Sequence, residues 1–227
     1  MPFPPLDNDT NGNHMGADIS DRIALRRKPK QERSIQRLDL ILNAAATIIA
    51  EKGVSAMRMT ELAVAANVPI GSVYQYFPEK AAIVKALFDR HAQAIQQKMA
   101  EMFADVRSLD EALDLISAVI DWYYAEYRND AAYLGVWMGT ETDQDLLRLN
   151  IEHSGQVAEI FQAAVRRLAP ESCDDQMKAR TYLFSHLIGA AIRLAVLSED
   201  SFGERILDEW KRAIRASLFA PTSASAA

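Results

Sequence analysis

Cysteine is almost absent from the chain, and no apolar run is long. The 227 residues include one cysteine, Cys173, which excludes a disulfide framework and fits a reducing compartment. The first twenty residues are polar and lack the apolar segment of a secretory signal. The longest apolar run, Leu187–Leu197, is interrupted by Arg193 and is too short to cross a bilayer. We therefore expect a cytoplasmic protein that has no contact with a membrane.

The common signatures of catalysis and of metal binding are also missing. The four histidines lie far apart, with no i, i+4 pair, and there is neither a glycine-rich phosphate loop nor a nucleophile elbow. The segment from Asp7 to Asp18 resembles a calcium-binding loop, but three prolines occupy the place of its first helix and Asp18 replaces the final glutamate. We expect no metal, no cofactor and no enzymatic activity.

Positive charge is confined to one part of the chain, although the net charge is −6. Residues 1–21 contain four acidic and no basic side chains, residues 22–80 carry a net charge of +5, and residues 81–227 carry −7. A basic segment joined to an acidic body is typical of a protein in which only one part approaches phosphates. The basic residues Arg22, Arg26, Arg27, Lys28, Lys30, Arg33 and Arg37 form an arm that is either a DNA contact or a solubilising tail.

Apolar residues recur at helical spacing along the whole chain, so we predict an all-α fold. A first helix covers Ser34 to Lys52 and ends at Gly53, and a long helix runs from Pro78–Glu79 to about Phe103. Ser108 and Glu111 form a capping box at the start of the next helix. Further helices are predicted at about 131–138, 143–168, 174–197 and 202–219. The ends, residues 1–21 and 221–227, are expected to be disordered and frayed, respectively.

The segment from Thr60 to Lys80 predicts a helix-turn-helix. Thr60 is a candidate cap for a short helix, and Asn67 tolerates the left-handed backbone conformation of a tight turn. A second helix of about two turns, Gly71 to Phe77, follows Pro69. Its apolar side packs inward, which leaves a polar and aromatic side free to enter a major groove.

This segment resembles the DNA-binding domain of TetR-family transcriptional regulators, and the resemblance covers Ser34 to about Phe88. It is carried by Ile41-Leu42-Asn43-Ala44-Ala45, Gly53, Leu62-Ala63, Ala66, Val68, Gly71, Val73-Tyr74, Tyr76-Phe77 and Lys80. The resemblance implies an N-terminal three-helix DNA-binding domain, here residues 22–80. It also implies a C-terminal helical bundle for ligand binding and dimerisation, here residues 81–220.

Candidate DNA contacts follow from the chemistry of the residues and from the resemblance. Ser72 and Gln75 are candidate base contacts, because a glutamine amide can pair bidentately with adenine. Tyr74 could contact a thymine methyl group or the backbone. The candidate phosphate contacts, which position the protein without reading sequence, are Arg58, Thr60, Tyr76 and Lys80. The full set of predicted DNA-binding residues is Arg58, Thr60, Gly71, Ser72, Tyr74, Gln75, Tyr76 and Lys80.

The second part of the chain contains many aromatic side chains with a few polar groups among them, which is typical of a small-molecule cavity but also of an ordinary core. The predicted ligand-binding residues are Phe88, His91, Trp122, Tyr123, Tyr127, Trp137, Phe161 and His186. Apolar stripes on the last two helices are expected to pair with a second copy of the chain, with packing inside one chain as the alternative. The predicted dimer residues are Leu183, Leu187, Ala190, Leu194, Ile206, Trp210 and Ile214.

These observations predict a homodimeric repressor that binds palindromic double-stranded DNA. An unknown small-molecule effector would release it by displacing the helix around Phe88–Met102. The alternative is a small-molecule-binding or scaffolding helical protein that never contacts DNA.

Overall fold

The computed structural model describes residues 23–25 and 32–220, and within these ranges all regular structure is helical. The predicted N-terminal tail, the frayed C-terminus and the calcium-like segment lie outside the described residues, as does most of the basic arm. We number the α-helices in chain order, and two short 3-10 helices cover Thr140–Thr142 and Pro170–Ser172. The helices are α1 (Glu32–Ala56), α2 (Met59–Ala65), α3 (Ile70–Tyr76), α4 (Lys80–Phe103), α5 (Leu109–Asn129), α6 (Ala131–Gly139), α7 (Gln144–Leu168), α8 (Asp175–Val196) and α9 (Asp200–Ser217).

Helices α1 to α3 form the predicted three-helix unit, which we call the head. Gly53 interrupts α1 with φ 76° and ψ 167°, a conformation that glycine adopts far more readily than other residues. Asn67 takes the left-handed conformation with φ 51°, as the sequence predicted. The N–H of Val68 then donates to the carbonyl of Ala63 (3.0 Å), which closes the end of α2.

The start of α2 differs from the prediction. Thr60 is the second residue of the helix, and the N-cap position before Met59 is occupied by Arg58, whose side chain makes no capping hydrogen bond. Thr60 is therefore not a cap, and its exposed side chain stays available for another contact.

Helix α4 connects the head to the remaining helices, which we call the body. Its first two turns bury Ile83, Val84 and Leu87, where α4 packs on α1. Its second half buries Ile95 and Met99, where it packs on α7. One helix thus contributes to both cores, so a displacement at one end is transmitted to the other.

A second connection between head and body, helix α6 against α1, was not predicted. Two glycines one turn apart allow the close approach. A Cβ atom at Gly135 would lie 2.5 Å from Ile49 Cγ2 and 3.1 Å from the carbonyl oxygen of Ile49. A Cβ atom at Gly139 would lie 2.6 Å from Val54 Cγ2. The surface of α1 therefore fits α6 without room for another methyl group.

In the body, aspartate and serine side chains cap several helices. Ser108 Oγ accepts a hydrogen bond from the N–H of Glu111 (3.1 Å), and Glu111 Oε2 accepts from the N–H of Arg107 (2.8 Å), one residue earlier than in the usual capping box. Asp130 and Asp143 cap α6 and α7. In the part of the chain that the structure describes, no helix has the length and apolar character needed to cross a membrane.

Helix α9 packs on α5 and α8 of its own chain with its apolar stripe. Ile214 is 3% exposed, and the ring of Trp210 packs edge-to-face against Phe184 with the centroids 5.5 Å apart. Ile206 is also partly buried against the core. These side chains therefore have contacts within one chain, and because Ile206 and Trp210 remain partly exposed, the role of the three residues in dimerisation stays a prediction.

Candidate nucleic-acid interface and internal cavity

Helix α3 has one buried and one exposed side. Val73 and Phe77 are fully buried beneath it. On the opposite side Tyr74 is 43% exposed, Gln75 is exposed and Ser72 is half-buried. An amide, a hydroxyl and a phenol thus share the outer surface of a short helix, which is the set of groups that can read base edges in a major groove.

Tyr76 does not lie on this outer surface. It is 3% exposed, so its ring belongs to the core of the head. A phosphate contact would need only the hydroxyl at the end of the ring, so the assignment of Tyr76 to a phosphate stays a prediction.

The remaining predicted DNA residues surround α3. Arg58 and Thr60 are exposed at the start of α2, and Gly71 is exposed in the first turn of α3 with open space beside it. Lys80 is exposed at the start of α4, and its Nζ donates to the carbonyls of Val54 (3.4 Å) and Ser55 (3.3 Å). Lys80 therefore also satisfies carbonyl groups at the end of α1, a role that the sequence did not reveal.

The body contains a cavity of about 280 Å³ that is partly open to solvent, since its lining includes Leu187 and Ala190, which are exposed. Its walls come from α4 to α9, and most of its lining is apolar or aromatic. The polar residues that line it are Glu141, Asn150, His153, Ser154, Thr181, Ser185, His186 and Arg193. The arrangement is suited to a small, largely apolar molecule with few hydrogen-bonding groups.

Four of the eight predicted ligand residues line this cavity, namely Tyr123, Trp137, Phe161 and His186. The other four, Phe88, His91, Trp122 and Tyr127, lie outside the lining. Phe88 packs edge-to-face on Trp137 with a centroid distance of 4.7 Å, and Trp122 stacks on Tyr123 at 5.8 Å. His91 stacks on Tyr133 at 4.1 Å, and Tyr127 packs on both Tyr123 and Tyr133. These residues support the cavity wall from behind.

The charged groups of the cavity lie together. Arg193 Nη2 donates to Glu141 Oε1 at 2.6 Å, which joins α8 to the 3-10 helix that follows α6. Burial raises the pKa of Tyr127, and the nearby Arg193 opposes that rise. Sequence reasoning did not select Arg193, because the partner that makes it part of the cavity is fifty-two residues away.

Helix α7 supplies two polar residues of the cavity lining, Asn150 and Ser154, that were not predicted from the sequence. Asn150 and Ser154 are buried and one turn apart, and Ser154 Oγ donates to the carbonyl of Asn150 (2.9 Å). With His153 they occupy one side of α7, so polar residues at helical spacing within an apolar side were the available signal.

Two histidines of the body are held neutral. Burial lowers the pKa of His153 to about 4, and burial likewise lowers the pKa of His91 to about 4 against the opposing charge of Asp130. His153 packs against Phe88 (5.7 Å) and Trp137 (5.5 Å), so it lies where α4, α6 and α7 meet.

Helix α8 leaves an apolar surface uncovered on the single chain. Leu183, Leu187 and Leu194 are 53%, 37% and 58% exposed, and Ala190 is exposed between them. Tyr182 and Leu197 extend this surface along α8, and Leu147 and Ile151 extend it onto α7. Four of the seven predicted dimer residues therefore lie on exposed surface, which we call the α8 surface. Within the described residues, no group of three or more histidine, cysteine or acidic side chains is placed to hold a metal ion.

Comparisons with known proteins agree with this architecture. A family model described as bacterial regulatory proteins, tetR family, matches residues 41–87, and one described as tetracyclin repressor-like, C-terminal domain, matches residues 110–222. No curated protein matches the chain.

Several solved structures share the fold at low sequence identity. A TetR-family transcriptional regulator from Streptomyces coelicolor has 23% identity and a TM-score of 0.63, over 81% of this chain and 95% of that one. NalD, the secondary repressor of the MexAB-OprM multidrug efflux pump in Pseudomonas aeruginosa, has 20% identity and a TM-score of 0.54, over 80% and 97%. RolR in complex with resorcinol has 15% identity and a TM-score of 0.57, over 82% and 91%.

Proposed function

Since the chain belongs to the TetR family of bacterial regulatory proteins, we propose that it is a homodimeric repressor that a small molecule releases from DNA. Members of this family are DNA-binding transcriptional regulators and not enzymes, and the chain is one of them. The proposal concerns the finer points, namely the operator contacts, the dimer, the effector and the sign of regulation. It places the protein in the cytoplasm with the DNA.

The exposed side of α3 carries the proposal for DNA recognition. We assign base contacts to Ser72 and Gln75, and either a thymine methyl or a backbone contact to Tyr74. Arg58, Thr60 and Lys80 are assigned to phosphates, with Gly71 allowing close approach of the backbone. Arg37, exposed on α1, is the described residue of the basic arm that could add a contact.

The α8 surface supports a dimer of two copies related by two-fold symmetry. Its leucines lie on one side of the helix, at positions 183, 187 and 194, and each is more than one-third exposed on the single chain. When a second copy covers such a row of exposed apolar side chains, their removal from water stabilises the dimer. Two heads would then reach successive major grooves, about 34 Å apart, which predicts a palindromic operator.

The cavity and its two connections to the head support release by a ligand. Ile95 and Met99 of α4 and Trp137 of α6 line the cavity, and both of these helices pack on α1. A molecule that displaces either helix would change the separation of the two heads. For nearly complete release, it must bind the DNA-free form more tightly by several kcal/mol.

The test is binding to the DNA upstream of the protein's own gene, measured by fluorescence anisotropy. Gln75→Ala should lose about tenfold or more in affinity and lose the base preference at one position of each half-site. Lys98→Ala, an exposed lysine on α4 outside the head, is the control and should bind as the unmodified protein does. Binding by Gln75→Ala with unchanged affinity and preference would show that α3 does not read the operator.

A further inference from the structure

The hydrogen bonds around His153 determine which of its ring nitrogens carries the proton. Gln96 Nε2 donates to Gln156 Oε1 and also lies 3.3 Å from His153 Nδ1. An amide nitrogen only donates, so His153 Nδ1 accepts. Because burial keeps this ring neutral, its single proton is on Nε2. His153, which lines the cavity, thus keeps one N–H donor for a molecule inside it.

His186 offers the opposite group. Ser154 Oγ gives its only hydrogen to the carbonyl of Asn150, so towards His186 Nδ1, at 3.1 Å, it accepts. Nδ1 therefore carries a proton, and in the tautomer whose single proton is on Nδ1 the other nitrogen, Nε2, is an acceptor at this exposed edge of the cavity. His153 and His186 together present one donor and one acceptor on the lining of the same cavity. A hydroxyl group, which both donates and accepts, matches this pair.

The charges of the lining argue against an ionised ligand. Glu141 and Arg193 line the cavity as an ion pair, so their charges compensate each other. A charged ligand would have to compete with this pair, in which Arg193 is the more buried partner, or lie against the apolar part of the lining without a counter-charge.

The size of the cavity and the aromatic side chains in its walls indicate a ligand that contains one or more aromatic rings. A cavity of about 150 Å³ is sufficient for benzene, and this one measures about 280 Å³. Its walls include the rings of Tyr123, Trp137, Phe161 and Phe184, which favour edge-to-face and stacked contacts with another ring.

We propose that the cavity binds an uncharged aromatic molecule of one or two rings that carries a hydroxyl group, held between His153 and His186. This inference rests on the proposed function, since it names the chemical class of the effector. It is a statement about direct binding, so it can be tested without DNA.

Three probes with one ring framework separate the possibilities: 2-naphthol, naphthalene and 2-naphthoate. Binding to the full-length protein is measured by isothermal titration calorimetry at pH 7.5. We expect 2-naphthol to bind about tenfold more tightly than naphthalene, the effect of one or two satisfied hydrogen bonds. The naphthoate anion should bind more weakly than 2-naphthol by a similar factor.

Substitutions then locate the hydroxyl group. His153→Phe should reduce the preference for 2-naphthol over naphthalene to less than about threefold, while His153→Gln, which restores a donor, should recover part of it. Tyr124→Phe is the control, because it also removes a polar group from a ring of the body, the hydroxyl that accepts from Arg128 Nη1, but lies outside the cavity lining. It should keep the full preference. Circular dichroism and melting temperatures identify any variant that fails to fold. If His153→Phe does not fold, His186→Phe, at an exposed position, replaces it and should likewise reduce the preference to less than about threefold.

Three results would overturn the inference: equal affinities for 2-naphthol and naphthalene, tightest binding of 2-naphthoate, or no binding of any probe. Tightest binding by the anion would instead assign the site to Arg193 after displacement of Glu141. Operator binding without probes, measured on the same preparation, separates the two proposals. If the protein binds DNA but shows no preference for 2-naphthol, only the ligand class is wrong. If it binds 2-naphthol but not DNA, the proposed repressor function is wrong.

Discussion

Replacing Gly135 by alanine tests the contact between α6 and α1 most directly. The new methyl group would lie 2.5 Å from Ile49 Cγ2, about 1 Å closer than carbon atoms normally approach. Ile49 is 1% exposed and β-branched, so its side chain has little freedom to move away. The carbonyl oxygen of Ile49, at 3.1 Å, belongs to the backbone of α1 and could move only with that helix.

The expected magnitude can be isolated with Gly155→Ala as a control. Both glycines lie inside helices, so each substitution gains about 1 kcal/mol in helix propensity. At Gly155 the new Cβ atom would lie 3.4 Å from the ring of Tyr182, an ordinary contact. The difference between the two variants is therefore the overpacking alone, about 1–3 kcal/mol. Gly135→Ala should melt lower than Gly155→Ala by about 2–4 °C for each kcal/mol.

The assay is thermal and urea unfolding followed by circular dichroism, with every variant at the same protomer concentration because dimer stability depends on it. In an Ile49→Ala background the cost of Gly135→Ala should shrink by about 1 kcal/mol or more, since Cγ2 is gone. Equal stabilities of Gly135→Ala and Gly155→Ala would refute the reasoning, because they would show that α1 and α6 separate freely.

Three further predictions follow from other sites. Burial lowers the pKa of His153 in the folded state to about 4, while the pKa of a histidine in the unfolded state is near 6.5. Between these two pH values the unfolded state binds more protons, so the contribution of the neutral His153 ring to the free energy of unfolding is complete above pH 6.5 and falls as the pH decreases towards 4. Between pH 7.5 and pH 5, the free energy of unfolding measured in urea titrations should therefore fall by about 2 kcal/mol less for His153→Gln than for the unmodified protein. Equal decreases would show that His153 is not held neutral in the folded protein. Lys80→Ala should weaken binding to all DNA sequences and reduce the slope of log K against log salt by about one for each head, and a changed sequence preference would mean that Lys80 reads bases. Leu194→Glu should shift the protein from dimer to monomer in light scattering, whereas Val64→Glu, at an 81% exposed apolar position in the head, should leave the dimer intact; a dimeric Leu194→Glu would place the interface elsewhere.

Local chemistry made the head predictable from the sequence. The left-handed conformation at Asn67 and the interruption at Gly53 each depend on backbone preferences of a single residue, so they could be recognised without tertiary information. The family resemblance predicted the order of the helices. The bounds of α3 differ by only one residue from those predicted, since its first turn begins directly after Pro69.

The body was predictable only as a set of helices. An apolar stripe shows that a helix side is buried but not what covers it, so the sequence left open whether the stripe of α9 packs inside its own chain or on a second one; within one chain it packs on α5 and α8. Aromatic composition likewise cannot separate residues that line a cavity from those behind it, so Phe88 and Tyr127 were selected together with Tyr123 and Trp137. The contact between Ile49 and Gly135 joins positions that are far apart in sequence, where no local pattern could reveal it.

The tight fit of α6 on α1 also limits how this protein can be recombined with its relatives. A chimera that exchanges only residues up to 80 would bring a foreign α1 against Gly135 and Gly139, and any side chain there that differs in shape from Ile49 or Val54 would collide or leave a gap. A transplant that changes operator choice while keeping the sensor intact should therefore retain the native residues of α1 that face α6 and exchange only α2, α3 and the turn between them.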